Sequence, residues 1–432
     1  MTMKAYPRMD SSTPLLTLSI RPGYPDFLDL PWEYPLIEWR NHCEQRVEVP
    51  RGVSRHVVEF VNYDGDLYAL KELPLVVAEK EYDLLRQMAE NRLPVVRPVG
   101  HISVKNSTSN TSVLITQFLD YSQPYRSLIV NASEGKFIEH LLDAMAGLLV
   151  QLHLAGVFWG DCSLSNTLFR QDAGTLQAYL VDAETAEIHL ELPPSLRHDD
   201  LNIMEENING DLADLASSRL LPSNFPVFTT GNSIRHRYQR LWEEISKEEV
   251  INPSERFRIQ ERIRALNRLG FSVGELEIRT DEGGEKLKMR VVVTDRNFHR
   301  DQLHGLTGLE TEEMQAQKMM NEIQELRASL SQEENRSLAM SVAAYKWLEE
   351  TYLPAIRQLQ PLIEKNHADP AELYCQILEH KWYLSETAQR DVGHQAAIDD
   401  YVRKFTRSTG DLLYKDHQGP QDGAHDITKD QI

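Results

Sequence analysis

Apolar and polar positions alternate in short runs from about residue 47 to residue 119 and recur at helical spacing over most of the remaining chain, which reads as a small β-rich part leading into a long helical one. Strand-type runs at 47–49, 56–62 and 66–73, the last two joined through Asp64-Gly65, predict a three-stranded meander. Pro74 precedes an amphipathic helix near 76–91, in which Ala78, Tyr82, Leu85 and Ala89 share a face. Strands near 95–104 and 113–119 flank a polar loop at 106–110. After Pro124 the period turns helical. Leu141, Leu142, Met145, Leu148, Leu149 and Leu152 give an apolar-faced helix over 137–156 that stops at Gly156. Short strands at 167–169 and 178–182 come next.

Beyond residue 190 helices are predicted near 199–220, 233–245 and 253–269, followed by a hairpin whose strands, 273–280 and 286–294, turn through Asp281-Glu282-Gly283-Gly284. Charged amphipathic segments at 310–330, 334–364, 370–385 and 392–407 resemble an antiparallel bundle. The first 44 residues are rich in proline and aromatic residues (Pro22, Pro25, Pro31, Trp32, Pro35, Trp39) and suit an extended strap. The expected partition is a Pro-rich extension (1–44), a sheet lobe (45–120), a helical lobe (121–232), a mainly helical domain with a β-hairpin at 273–294 (233–407) and a disordered tail (408–432).

Composition narrows the function. With 66 acidic against 46 basic residues the net charge is -20, which disfavours nucleic acid and anionic membrane surfaces as partners. The three cysteines, Cys43, Cys162 and Cys375, lie far apart and suggest neither a disulfide framework nor a zinc site. No uninterrupted apolar segment reads as a secretory signal or a membrane span, and a cytoplasmic location is expected.

The chemistry concentrates in four places. Lys71 follows alternating apolar residues in Leu67-Tyr68-Ala69-Leu70-Lys71, and the next helix offers Glu79, Glu81 and Glu90 as ion-pair partners, Glu81 being favoured. In Trp159-Gly160-Asp161-Cys162-Ser163-Leu164-Ser165-Asn166 an Asp and an Asn stand four residues apart in a loop after a long helix. Asp182 ends the apolar run Tyr179-Leu180-Val181. Phosphoryl transfer needs a lysine for nucleotide phosphates, carboxylate and amide oxygens for magnesium, and a carboxylate that orients the attacking hydroxyl. Lys71, Asp182 with Asn166, and Asp161 supply these in that order.

This constellation resembles the protein-kinase-like superfamily, nearest in style to aminoglycoside, choline and lipopolysaccharide-core (Kdo) kinases, over about residues 47–188. The whole chain, including Leu378-Glu379-His380-Lys381-Trp382, is similar to a bacterial family described as lipopolysaccharide-kinase-like. The resemblance implies an α+β, bilobal fold, ATP and Mg2+ as cofactors, and a small-molecule or carbohydrate hydroxyl as acceptor. No Ala-Pro-Glu segment follows Asp182, which argues against a protein substrate.

The sequence departs from the family in three places. The phosphate loop should fall at 50–56, where Gly52 is the one glycine, leaving Ser54, backbone amides and Arg51 or Arg55 to hold phosphate. Trp159 replaces the usual histidine, and Ala183-Glu184 replaces Phe-Gly, Glu184 being either a further metal ligand or, as favoured, solvent-facing. These departures, together with the large acidic helical half, support an alternative: a catalytically weak pseudokinase that binds nucleotide and docks a protein partner through its C-terminal helices. Three further groups carry less weight. Asp211 reads as an ordinary acid at a helix N-terminus or as the buried anchor of the catalytic loop. Arg296, His299, Arg300 and His304 read as a solvated loop or an anion site, and His380 and Trp382 as partly buried helix-packing residues.

Overall fold

A computed structural model describes residues 14–49, 55–105, 110–131, 135–222, 225–246, 249–251, 275–280, 287–292 and 297–406. The predicted helix at 253–269, the hairpin turn at 281–284, Gly52, Ser54, Arg296 and the tail from 408 lie outside these residues.

The alternating runs of the first part become strands β1 (Leu15–Ile20), β2 (Val58–Tyr63) and β3 (Asp66–Leu73). Helix α1 (Leu75–Glu90) follows, then β4 (Arg97–Lys105) and β5 (Asn110–Gln117). The strands form one antiparallel sheet in the order β1-β4-β5-β3-β2. Asp64 and Gly65 both have positive φ (54° and 98°), as a two-residue hairpin turn between right-twisted strands requires. Residues 47–49 do not form the expected strand; beside them a single bridge, Arg46 to Val61, touches the sheet.

The strap of the first 44 residues is instead partly strand. Leu15–Ile20 pairs with β4 at the sheet edge, and Gly100 makes the approach possible, since a Cβ there would sit 2.2 Å from the Ser19 carbonyl oxygen. Phe27, Leu30, Trp32, Leu36 and Trp39 are buried in one cluster with Val61, Tyr68, Leu70, Ile102 and Ile115, so this segment supplies a substantial part of that core. Helix α1 packs against β4 and β5.

The second lobe runs through β6 (Gln123–Pro124), α2 (Tyr125–Asn131), α3 (Gly135–Leu154), β7 (Val157–Phe158), β8 (Thr167–Asp172), β9 (Thr175–Leu180), β10 (Glu187–Ile188), α4 (Pro194–Ser217) and α5 (Thr230–Ser246). Strands β6, β8 and β9 form a small sheet beside α3, whose other neighbour is α5. This is the α+β, bilobal arrangement that the resemblance implies: an antiparallel-sheet lobe, then a helical lobe. Three strands follow, β11 (Glu249–Ile251), β12 (Glu275–Thr280) and β13 (Leu287–Val292), with β13 central; β11 was not anticipated.

The chain divides into two compact units, Met1–Gly305 with Glu310–Gln317 and Leu306–Leu309 with Lys318–Ile432. Helical segments Met340–Trp347, Leu353–Asn366, Pro370–Ala388 and Gly393–Thr406, with the part of Glu313–Glu333 from Lys318 onward, make up most of the second. The single helix expected over 334–364 starts only at Met340 and carries one π-helical turn, Leu348–Tyr352. Pro354 explains the turn, because it cannot donate to the carbonyl four residues back and its ring crowds that oxygen.

Within this unit Glu322 accepts from Trp347 Nε1 (3.1 Å) and Tyr374 OH (2.7 Å) and pairs with His394 Nε2 (2.8 Å). Burial alone would raise its carboxyl, but these partners hold it below the ordinary carboxylate value. Its stabilisation is therefore present above that range and lost as pH falls. Glu322→Ala leaves an indole N–H, a phenol and an imidazole without their acceptor. It is expected to cost about 3–5 kcal/mol, read as a lowered urea midpoint; a change below about 1 kcal/mol, the worth of one ordinary hydrogen bond, would discount the network. His380 is fully buried and bonded to Asp400 (2.9 Å), whereas Trp382, expected to pack, is 63% exposed.

Candidate active site

Strand alternation sends Tyr68 and Leu70 of β3 into the core and leaves Lys71 on the opposite face, where α1 lies. On α1 the buried positions are Ala78, Glu81, Leu84, Leu85 and Met88, so Glu81 sits on the apolar stripe and is fully buried while Glu79 and Glu90 are exposed. That settles the choice among the three acids. Lys71 Nζ lies 3.1 Å from Glu81 Oε2 and 2.7 Å from Asp182 Oδ2, joining β3, α1 and the segment after β9.

Burial would lower the Lys71 ammonium, but the charges of Glu81 and Asp182 outweigh it and hold it above its ordinary value. Glu81 is pushed up to about 7 by burial and by the charge of Asp182, against the pull of Lys71 and of the Ala183 amide. A carboxyl raised on folding binds its proton more tightly in the native state, so its contribution to stability falls as pH rises from the ordinary carboxylate range to about 7. Relative to wild type, Glu81→Gln should gain stability across that interval, by at most about 3 kcal/mol, in urea denaturation repeated along a pH series. Parallel profiles for the two proteins would exclude it.

Asp161 and Asn166 share the loop between β7 and β8. Asn166 Nδ2 donates to Asp161 Oδ2 (3.0 Å) and to the Asp161 carbonyl (3.1 Å), which leaves its Oδ1 for another partner. Gly160 has φ +76°, and a Cβ there would meet Phe158 and the Thr185 carbonyl, so glycine suits the turn just before Asp161. Trp159 is fully buried; its Nε1 donates to the Asp182 carbonyl (3.0 Å), and its own carbonyl accepts from Thr185 Oγ1 (2.9 Å). The indole thus ties the Asp161 loop to the Asp182 segment, and the missing histidine leaves no gap.

One face of α4 holds this loop from below. Asp200, buried, accepts from the Trp159 and Gly160 amides (2.8 and 2.9 Å) and pairs with His153 Nε2 (3.0 Å), whose Nδ1 meets Tyr238 OH (2.8 Å). Asn207 Nδ2 donates to Asp161 Oδ1 (2.9 Å), and Asp211 accepts from Ser165 N (3.0 Å) and Oγ (2.6 Å). The buried anchor is therefore Asp200, which the sequence reading passed over. Asp211 is no acid at a helix start: it lies near the C-terminal end of α4 and grips the far end of the loop, with its carboxyl raised by burial.

Other expectations change too. Glu184 does not simply face solvent, since its carboxylate lies 3.3 Å from His56 Nε2 and its carbonyl accepts from Lys80. The basic group after the hairpin is paired with acids of the chain itself: His299 and the Arg300 amide with Glu313, Arg300 and His304 with Glu310. Among the described residues no cluster of three or more His, Cys, Asp or Glu is set to hold a metal ion. One carboxylate (Asp182) with one amide oxygen (Asn166) suits a magnesium that takes its other ligands from phosphates and water.

The antiparallel-sheet lobe, the helical lobe and the Lys71–Glu81–Asp182 contact are consistent with a kinase-like fold. Residues 63–227 match the family described as lipopolysaccharide kinase (Kdo/WaaP) family, and residues 240–406 match a domain of unknown function (DUF4032). The first of these matches supports a Kdo-like, kinase-related likeness for residues 63–227 alone. Among solved structures, "WaaP in complex with acyl carrier protein" matches at 16% identity over 51% of this chain and 88% of that chain, with a TM-score of 0.33. No curated protein matches. Among the described residues no helix is long and apolar enough to cross a membrane.

Proposed function

We propose that the chain is an ATP- and magnesium-dependent phosphotransferase that acts on a hydroxyl of a small molecule or carbohydrate. The observation that carries this reading is the joint contact of Lys71 with Glu81 and Asp182, beside a loop that presents Asp161 and Asn166. Lys71, held by Glu81, would bind nucleotide phosphates, with Gly52 and Ser54 proposed at the phosphate loop. Asp182 and Asn166 Oδ1 would hold magnesium, which supplies neutralisation of the charge that shifts as the phosphoryl group moves. Asp161 would orient the acceptor hydroxyl and take its proton.

The partition near residue 232 is part of the proposal, supported by matched segments that do not overlap, 63–227 and 240–406. So are a cytoplasmic location and a protein partner for the C-terminal helices, where Tyr345 and Trp382 stand exposed. The test is calorimetric binding of ATP with and without magnesium, followed by ATP consumption against a panel of sugar and small-molecule alcohols. Absence of both binding and turnover ends the proposal. Binding without turnover on any acceptor favours the nucleotide-regulated pseudokinase.

A further inference from the structure

Three polar residues of α4 divide the Asp161 loop between them, and their parts differ. Asp200 holds backbone amides at its start, Asp211 holds Ser165 at its end, and Asn207 reaches the side chain of Asp161 itself. Asn207 Nδ2 lies 2.9 Å from Asp161 Oδ1 and 3.3 Å from the Cys162 carbonyl oxygen. The second oxygen of the same carboxylate accepts from Asn166 Nδ2 at 3.0 Å. An ionised carboxylate only accepts, so each amide must turn its nitrogen toward Asp161. Two amides from different elements, one on the loop and one on a packed helix, fix both the tilt and the rotation of a half-buried carboxylate. Asn166 alone would leave Oδ1 without a partner and the carboxylate free to swing about its last torsion.

We propose that Asn207 is a positioning residue of the phosphoryl-transfer site, holding the Asp161 carboxylate in the orientation it presents to the acceptor hydroxyl. The inference deepens the phosphotransferase reading and rests on it for its catalytic consequence. Misplacing a reacting group by about 1 Å costs on the order of 100-fold in rate, while nucleotide phosphates and magnesium are assigned to Lys71, Asp182 and Asn166. Loss of the Asn207 donor therefore falls on kcat and spares the KM for magnesium-ATP.

Two variants test it. Asn207→Asp is nearly isosteric, keeps the helix packing and sets a carboxylate against Asp161; Asn207→Ala simply removes the donor. Each is read by steady-state kinetics and by a crystal structure. The expected result is a kcat about 100-fold down, an unchanged KM for magnesium-ATP, and an Asp161 side chain turned out of its wild-type rotamer over an unmoved loop backbone. An unmoved Asp161 overturns the proposal, and so does displacement of the loop as a whole, which would make Asn207 a structural anchor like Asp200. Should the wild type transfer phosphate to no acceptor, the phosphotransferase reading fails by itself, and the Asp161 rotamer in the two crystal structures still decides what Asn207 does.

Discussion

Asp161→Asn should bind magnesium-ATP as the wild type does and turn it over about 100- to 10,000-fold more slowly. The carboxylate touches neither Lys71 nor Asp182; its partners are the amides of Asn166 and Asn207. Replacing one oxygen by an NH2 keeps size and planarity, so the loop braced by Trp159 and α4 should stay in place. What goes is the proposed acceptor for the hydroxyl proton. Calorimetry and single-turnover kinetics on the same preparation separate the two effects. A variant that keeps its rate would remove Asp161 from the chemistry, and one that loses nucleotide affinity in proportion to rate would make it a binding residue.

Asp182→Ala should show the opposite profile. Second-sphere partners of metal ligands are worth about 10- to 100-fold in metal affinity, so deleting the single carboxylate proposed for magnesium should weaken magnesium-dependent ATP binding by at least about 100-fold. The apo protein should tolerate the change, for two reasons. Lys71 retains Glu81 at 3.1 Å, and removing the charge of Asp182 lifts one of the influences that push the Glu81 carboxyl up. Titrating ATP at several magnesium concentrations reads the effect; equal affinities with and without the metal in wild type and variant alike would take Asp182 out of the role.

Much of this was legible in the chain because local pattern and chemistry agreed. Lys71 interrupts an alternating strand and is placed by it, whereas Asp182, read as the end of a strand over 178–182, lies two residues beyond β9, which stops at Leu180. Glu81 is favoured over Glu79 only through the resemblance to the corresponding helix of small-molecule kinases, since the helical face read from Ala78, Tyr82, Leu85 and Ala89 is rotated from the one actually buried. A charged residue on an apolar stripe is invisible to hydrophobic periodicity. Asp200 escaped for a related reason: a helix begun near residue 199 puts it in the first turn, where an acid is ordinary. The helix in fact starts at Pro194, a favoured first position for proline, and Asp200 falls inside the buried face with Met204 and Ile208. In the first 44 residues the prolines masked Leu15–Ile20, a strand whose partner, β4, lies far along the chain and leaves no local signal.

Helix α4 holds the Asp161 loop through positions seven and four residues apart, 200, 207 and 211, and that spacing constrains length more tightly than identity. Inserting one residue between Asp200 and Asn207 turns everything downstream by about 100°. Asn207 and Asp211 would then swing away together while Asp200 kept its two amides. Inserting seven would restore the angle but carry both residues about 10 Å along the axis, past the end of the loop. Proteins that share this clamp are therefore expected to vary in the residues at these three positions sooner than in the number of residues between them.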